Sequence, residues 1–469
     1  MTDTTFVSGT IVEAAWLNDV DDITYRKCAE WISVKDPAYG YSGSGAVSAA
    51  TFQAAINAVQ GTSAYIIIPG NTTIALGSTP ITSSGALRIV GFGGQNRVAI
   101  TSTISDGFVW THTAGQNGGL QLEGITFTGP VGCTAGGLIS ISGDGITAND
   151  GTYFNNCTFN YGYDQIYMPS AYVWRIVNCT FNGAVNTAIY TENTINQDAG
   201  DSYIHNCLFS NLGVAATAIK QGGGGGLKIL QNKIFGGLNG YVMDLVSGAL
   251  TSILLIEGNS IEYQTGSCIR MRNTAGSAGF SQTVINGNQF AGCPTPINLD
   301  SSTAFSVGTI ISNNVIVALP GAGTTCAITL TTAPLGVITG NLIYGSGSTV
   351  LGISIGLGST ATREYNNTIY GCVTEVLNDC SNGVASAASI TLPSWTDTII
   401  VSGTTNITSI ASASNHRNRT VTLVFQGSLT FTDGNNLLLA GNFVTSQHDT
   451  ITLTCADGTN WYEVCRSVN

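Results

Sequence analysis

The chain has 469 residues, a formal net charge of −12, only 15 Lys and Arg, and 59 glycines. That balance excludes a nucleic-acid partner, whose phosphates need clustered Lys and Arg. No apolar run is long enough to span a membrane, and no charged n-region precedes an apolar h-region, so neither membrane insertion nor a Sec-type signal is expected. With 9% charged residues and abundant Gly, Ser, Thr and Asn, the surface suits neutral or polyhydroxylated material such as glycans.

Residues 1–31 read as a separate module containing Phe6, Ile11, Trp16, Leu17, Val20 and Tyr25, too short to bury its own core. Its run Phe6-Val-Ser-Gly-Thr-Ile-Val-Glu-Ala-Ala-Trp-Leu-Asn-Asp-Val20 resembles the head of many bacteriophage tail-fibre and tailspike proteins. The resemblance implies attachment to a phage tail, baseplate or another tail fibre through residues 1–31.

Residues 32–100 read as linker, capping helix and first coils. Ser48 is a plausible N-cap, Phe52, Ile56 and Val59 share one helical face, and Gly61 ends the helix. The strand Tyr65-Ile-Ile-Ile68 follows, then Leu87-Arg-Ile-Val-Gly91. A solenoid exposes an apolar cross-section at its first rung, and such a helix can plug it. The order of elements resembles the start of the pectate-lyase-like β-helices of tailspikes. In that family a Gly-Asp-Gly…Asp-Asp stretch often precedes the helix; here it reads Ser42-Gly-Ser-Gly-Ala-Val-Ser48, without the acids.

Residues 101–385 form the body, and its signature is a repeat. Asn or Gly is followed three residues later by Phe or Ile at Gly124, Asn156, Asn178, Asn206, Asn232, Gly258, Gly287, Asn313, Gly340 and Asn366. These positions are 32, 22, 28, 26, 26, 29, 26, 27 and 26 residues apart, the even period of a solenoid. Two residues earlier comes an aliphatic, as at Ile176, Ile204, Leu230, Ile256 and Ile285, so the local apolar period is two and the elements are strands. A second alternating strand follows each Gly-rich turn, as in Ala188-Ile-Tyr-Thr191. The Asn/Gly step suits a left-handed bend. The expected fold is all-β: a right-handed, single-stranded parallel β-helix with an N-terminal capping helix and a C-terminal β-sandwich-like domain. Phe159, Phe181, Phe209 and Phe235 are expected to stack inside.

Twelve cysteines invite a disulfide reading, but Cys157, Cys179 and Cys207 share one repeat column, later filled by Asn259, Asn288, Asn314, Asn341 and Asn367. They read as reduced core thiols. The four histidines are scattered and no CxxC occurs, so no metal site and no cofactor are expected.

Residues 386–469 change character. Asp397-Thr-Ile-Ile-Val401, Thr420-Val-Thr-Leu-Val-Phe425 and Asp449-Thr-Ile-Thr-Leu-Thr454 read as strands, with turns at Asp433-Gly434 and Asp457-Gly458. The ending Asp457-Gly-Thr-Asn-Trp-Tyr-Glu-Val-Cys-Arg466 resembles the small C-terminal β-domain of phage tail proteins, which implies a role in homotrimerisation.

If Ile166, Ile189, Ile219, Ile269 and Ile297 of the second strand point inward, Tyr167, Tyr190, Lys220, Arg270 and Asn298 point outward, with Glu192, Arg272 and Asp300 two residues further along. Asp244 falls between Met243 and Leu245 and is expected to face out, since an unpaired carboxylate in the core costs several kcal/mol. Glycosidases pair two carboxyls, spaced for a water when inverting. Asp244, Glu192 and Asp300 are therefore the catalytic candidates. Tyr167, Tyr190, Lys220, Arg270, Arg272 and Asn298 are the substrate-binding candidates. A salt-bridge ladder or a subunit contact explains the same charges, and the turn carrying Asp198 and Asp201 is a second acidic candidate. The resemblance implies a virion tailspike that binds a bacterial surface polysaccharide and acts on it as an endo-glycoside hydrolase; a non-catalytic receptor-binding fibre is the alternative.

Overall fold

A computed structural model describes residues 31–93, 98–111, 119–142, 151–169, 173–192, 202–213, 216–222, 226–236, 242–247, 252–264, 266–273, 280–299, 308–318, 325–331, 336–356, 359, 362–378, 383–393, 396–413 and 416–469. The tail-attachment module, Asp300 and the turn with Asp198 and Asp201 lie outside them. The chain is an all-β right-handed parallel β-helix that divides into two compact units, Met1–Asp244 and Leu245–Asn469.

In the first unit the helix Ala49–Val59 (α1) is capped by Ser48, whose side chain accepts the Thr51 amide. It buries Phe52, Ile56 and Val59. The Phe52 ring lies 6.5 Å from that of Phe108, so α1 covers the end of the apolar interior as expected. Each coil then has three strands, because the left-handed bend splits the first sequence-predicted strand in two. In one coil these are Thr152–Asn155, Thr158–Asn160 and Asp164–Met168, paired in parallel with Trp174–Val177, Thr180–Asn182 and Thr187–Glu192 of the next. The bend residues Asn156, Asn178 and Asn206 have φ of 53°, 55° and 53°. Side chains one residue after the bend go inward, and Cys157, Cys179 and Cys207 form one buried column of free thiols. Burial, then the neighbouring thiols, pushes the Cys179 thiol well up, so it is an inert packing group.

The register corrects one rung of the repeat. The bend residue is Gln231 (φ 54°), not Asn232, and Asn232 takes the inward column position, where it accepts the Cys207 amide at 2.9 Å. Ile229 rather than Leu230 is then the buried aliphatic of that rung, and Ile234 rather than Phe235 pairs with Phe209. The aromatic stack is Phe127, Phe159, Phe181 and Phe209, with centroids 5.5, 5.0 and 4.8 Å apart and nearly coplanar rings, while Phe235 is half-buried. An unbranched amide at a left-handed bend lacks the local hydrogen bonds that let Asn adopt it. Gln231→Asn is thus expected to raise stability by roughly 0.5–1 kcal/mol, read as a small upward shift in thermal unfolding.

The second unit continues the pattern with asparagines in the inward column. Asn259, Asn288, Asn314 and Asn341 each donate from Nδ2 to the Oδ1 of the next, at 2.9–3.0 Å, and from the backbone amide to the same oxygen. The coil ends in two long strands, Leu342–Ile355 and Thr368–Asn378. They pair in parallel with a register shift between Tyr344 and Thr349, and at that shift Gly345 packs on Gly371, where an added Cβ would lie 2.4 Å from the Gly371 carbonyl oxygen. Beyond residue 382 parallel pairing continues through Gly383–Ala385, Thr398–Ser402 and Arg419–Phe425. It then turns antiparallel through Thr450–Cys455 and Trp461–Ser467. These strands enclose a separate core that includes Ile399, Leu423, Phe425, Phe431, Leu453 and Trp461. Asp457 closes the final hairpin; the Asn460 and Thr459 amides donate to it at 2.7 and 2.8 Å and hold its carboxyl down to about 2.

Candidate functional site

The third strand of each coil carries the side chains expected at the site. In the first unit Ile166, Ile189 and Ile219 are buried, which turns Tyr167, Tyr190 and Lys220 outward in one register row. The Tyr167 and Tyr190 rings lie 5.3 Å apart, and the Lys220 ammonium sits 4.1 Å above the Tyr190 centroid. This is an aromatic platform with a fixed cation at one end, a surface on which a sugar ring can stack. In the second unit Arg270 pairs with Asn298, both half-buried, and Arg272 follows two residues along the same strand.

The catalytic candidates fare differently. Asp244 lies between the buried Met243 and Leu245, outward by alternation, and is itself only 6% exposed. The backbone of Glu192 pairs with Gly222, and its side chain is outside the described set, as is all of Asp300.

Two other carboxylates border the platform, and sequence reasoning passed over both. Asp106 and Asp164 each stand two residues before an inward side chain, Phe108 and Ile166, at the opening of a third strand. Asp106 is exposed; its Oδ1 accepts the Gly137 amide at 3.0 Å and the Ser140 hydroxyl at 3.1 Å. Gly137 pairs with Asp164 on the following rung. The two acids therefore lie two rungs apart, roughly 9–10 Å by strand spacing, with glycine between them. That glycine is obligatory, since a Cβ there would sit 2.8 Å from Tyr167 Cβ and 2.7 Å from Ser140 Oγ. The available signal was a polar residue before the inward aliphatic, at the turn rather than along the strand.

Asp164 is 6% exposed and accepts Asn186 Nδ2 at 2.8 Å. Burial raises its pKa above the ordinary 3.8, against the Asn186 and Thr187 hydrogen bonds and the Lys220 charge, which pull it down. Because the folded-state value is raised, the stability Asp164 contributes is full below about pH 3.8 and is lost as pH rises through the raised value. Asp164→Asn should flatten that decline, as measured by denaturant unfolding on either side of the window. Among the described residues, no group of three His, Cys, Asp or Glu gathers to hold a metal, and no helix is long and apolar enough to cross a membrane.

Residues 138–316 match the family model for a right-handed β-helix region. No curated protein matches the chain. Among solved structures, the N-terminal fragment of gene product 12 of bacteriophage phi29 is similar at 14% identity, covering 89% of this chain and 72% of that one, with a TM-score of 0.50. Tailspike protein 3 of bacteriophage CBA120 aligns at 14% identity over 99% of this chain and 72% of its own, with a TM-score of 0.41. The A-module of the mannuronan C-5 epimerase of Azotobacter vinelandii aligns at 15% identity over 74% and 97%, with a TM-score of 0.48. At these identities the likeness is one of fold. The chain is a right-handed parallel β-helix protein, and the bacteriophage phi29 fragment is among its structural neighbours.

Proposed function

We propose that this chain is a tailspike-type protein that binds a bacterial surface polysaccharide along the third-strand row and hydrolyses it. The observation that carries the reading is the platform of Tyr167, Tyr190 and Lys220, with two unlike carboxyls, Asp164 and Asp106, at its border. Glycoside hydrolysis needs one carboxyl that keeps its proton and one that takes a proton from water. Asp164, whose pKa burial raises, gives its proton to the glycosidic oxygen as the bond to the anomeric carbon breaks. Asp106, open to solvent, takes a proton from the water that attacks that carbon from the opposite face. The separation of roughly 9–10 Å is close to that of inverting enzymes.

Asp244, Glu192 and Asp300 remain the alternative acids. Arg270, Arg272 and Asn298 are further glycan contacts on this reading. Residues 1–31 attach the protein to a phage tail, and residues 386–469 clamp a homotrimer; deletion of that segment should leave monomers or aggregates in sedimentation.

The deciding experiment is a reducing-end assay on extracted capsule and lipopolysaccharide of candidate hosts. New reducing ends with wild type, and their retention in Asp244→Asn and Glu192→Gln, support Asp164 and Asp106 as the acids. Loss in either of those variants moves the chemistry to the alternative set. Binding without cleavage by the wild type establishes the non-catalytic receptor-binding fibre instead.

A further inference from the structure

The first strand of each coil in the first unit carries a second ordered row, on a different sheet from the proposed cleavage site. The residue before each inward side chain is Tyr65, Arg88, Gln121, Tyr153, Arg175 and Tyr203 in successive rungs, and register pairing places them in one line. Lys228 pairs next to Tyr203 and extends the row. The adjacent Ile66, Ile89, Leu122, Phe154, Ile176 and Ile204 are buried, which fixes the row as outward-facing. Rings and cations are matched along it: the Arg88 guanidinium is 5.2 Å from the Tyr65 centroid and that of Arg175 is 5.5 Å from Tyr203.

This row is not flat. Gln121, Thr152, Tyr153, Arg175 and Tyr203, with Val173 at the turn, enclose a groove of about 540 Å³. That is within the range of roughly 300–1,000 Å³ typical of small-ligand sites. Among the described residues, neither Arg88 nor Arg175 forms an ion pair. In a chain with 15 Lys and Arg and a net charge of −12, two arginines held over tyrosine rings on one open row are a concentrated positive site. Glu123, two residues along the strand from Gln121, accepts Asn155 Nδ2 at 3.4 Å.

We infer that this groove binds an acidic oligosaccharide, one bearing uronate- or sialate-type carboxylates. Tyr153 and Tyr203 are two rungs apart, roughly 9–10 Å, which is the length of a disaccharide, and their rings can each carry one sugar face. Arg175, on the rung between them, presents a planar fork that matches a carboxylate bidentately. Arg88 lies three rungs from Arg175, so a second carboxylate further along the same glycan meets a second guanidinium. The Tyr153 hydroxyl, protonated at neutral pH like any phenol, is a hydrogen-bond donor to the sugar, and burial, chiefly, raises its pKa further. A nucleic acid would use such cations too, but the overall acidity of the chain opposes it. The inference rests on the glycan-binding half of the proposed function and specifies the glycan's charge, not its cleavage.

The test is calorimetric binding to the full-length protein of galacturonate, mannuronate and sialate oligosaccharides, each beside its carboxyl-reduced counterpart. At least one acidic form should bind with roughly tenfold or greater preference over its reduced form. Arg175→Gln should weaken it roughly 10- to 100-fold, as expected for a lost charge-assisted pair, and Tyr153→Ala roughly tenfold. Asp164→Asn should leave this binding within about twofold, so failure of cleavage and failure of the groove are read separately. The inference is overturned if no acidic oligosaccharide binds, if reduced forms bind equally well, or if Arg175→Gln has no effect. It is equally overturned if Arg175→Gln or Tyr203→Ala lowers the oligomeric state in sedimentation, which would make the row a contact between copies of this chain.

Discussion

Asn288→Leu is expected to cost roughly 3–5 kcal/mol, far more than the change in volume suggests. The wild-type side chain is fully buried and works in three directions. Its Oδ1 accepts both the amide and Nδ2 of Asn259, and its Nδ2 donates to Asn314 Oδ1 and to the Ile256 carbonyl. Leucine supplies none of these, so the buried Asn259 amide loses its partner, at roughly 1–3 kcal/mol, and the Ile256 carbonyl loses the Asn288 Nδ2 contact. A solenoid couples mainly neighbouring rungs, so the damage should be local. Hydrogen exchange should show the Asn259 amide opening first, with coils of the Phe127–Phe209 stack keeping their protection. A loss under about 1 kcal/mol would mean that the ladder follows the coil rather than holding it.

Asp164→Asn is expected to lower depolymerising activity by roughly 10²–10⁴, the usual contribution of a general acid. The amide keeps an oxygen that can accept Asn186 Nδ2, so the local fold should persist while the transferable proton is gone. Sugar affinity should change by less than about twofold, because the platform of Tyr167, Tyr190 and Lys220 is untouched. Asp106→Asn should produce a similar fall by the other route, since an amide cannot take a proton from water. If both variants retain full activity, the chemistry belongs to Asp244, Glu192 or Asp300. A fall in affinity equal to the fall in rate would instead show a structural role for Asp164.

The fold was legible because a β-helix writes its register into the sequence: inward Phe159, Phe181 and Phe209 recur behind bends that tolerate left-handed angles. The misread rung shows the limit. Asn232 fits the bend chemistry better than Gln231, so residue preference pointed to Asn232, while packing of Ile234 against the Phe209 rung set the register one residue earlier. For the outward row, parity alone placed Tyr167, Tyr190 and Lys220 correctly. Asp106 and Asp164 were not legible in that way. They sit where the chain leaves a turn, and parity along the strand does not say which side such a residue takes. Their relation depends on Gly137 between them, a pairing visible only once the rungs are stacked. Asp244 shows the converse: alternation gave its direction, but not that it would be as buried as Asp164.

Whether a glycan lies on the third-strand row is read most directly from a crystal structure of the Asp164→Asn protein with an oligosaccharide of a polysaccharide that the wild type cleaves. Sugar rings stacked on Tyr167 and Tyr190, with a glycosidic oxygen within hydrogen-bond reach of residue 164, are the predicted result. A bound oligosaccharide ordered elsewhere, with Tyr167, Tyr190 and Lys220 bare, would contradict it.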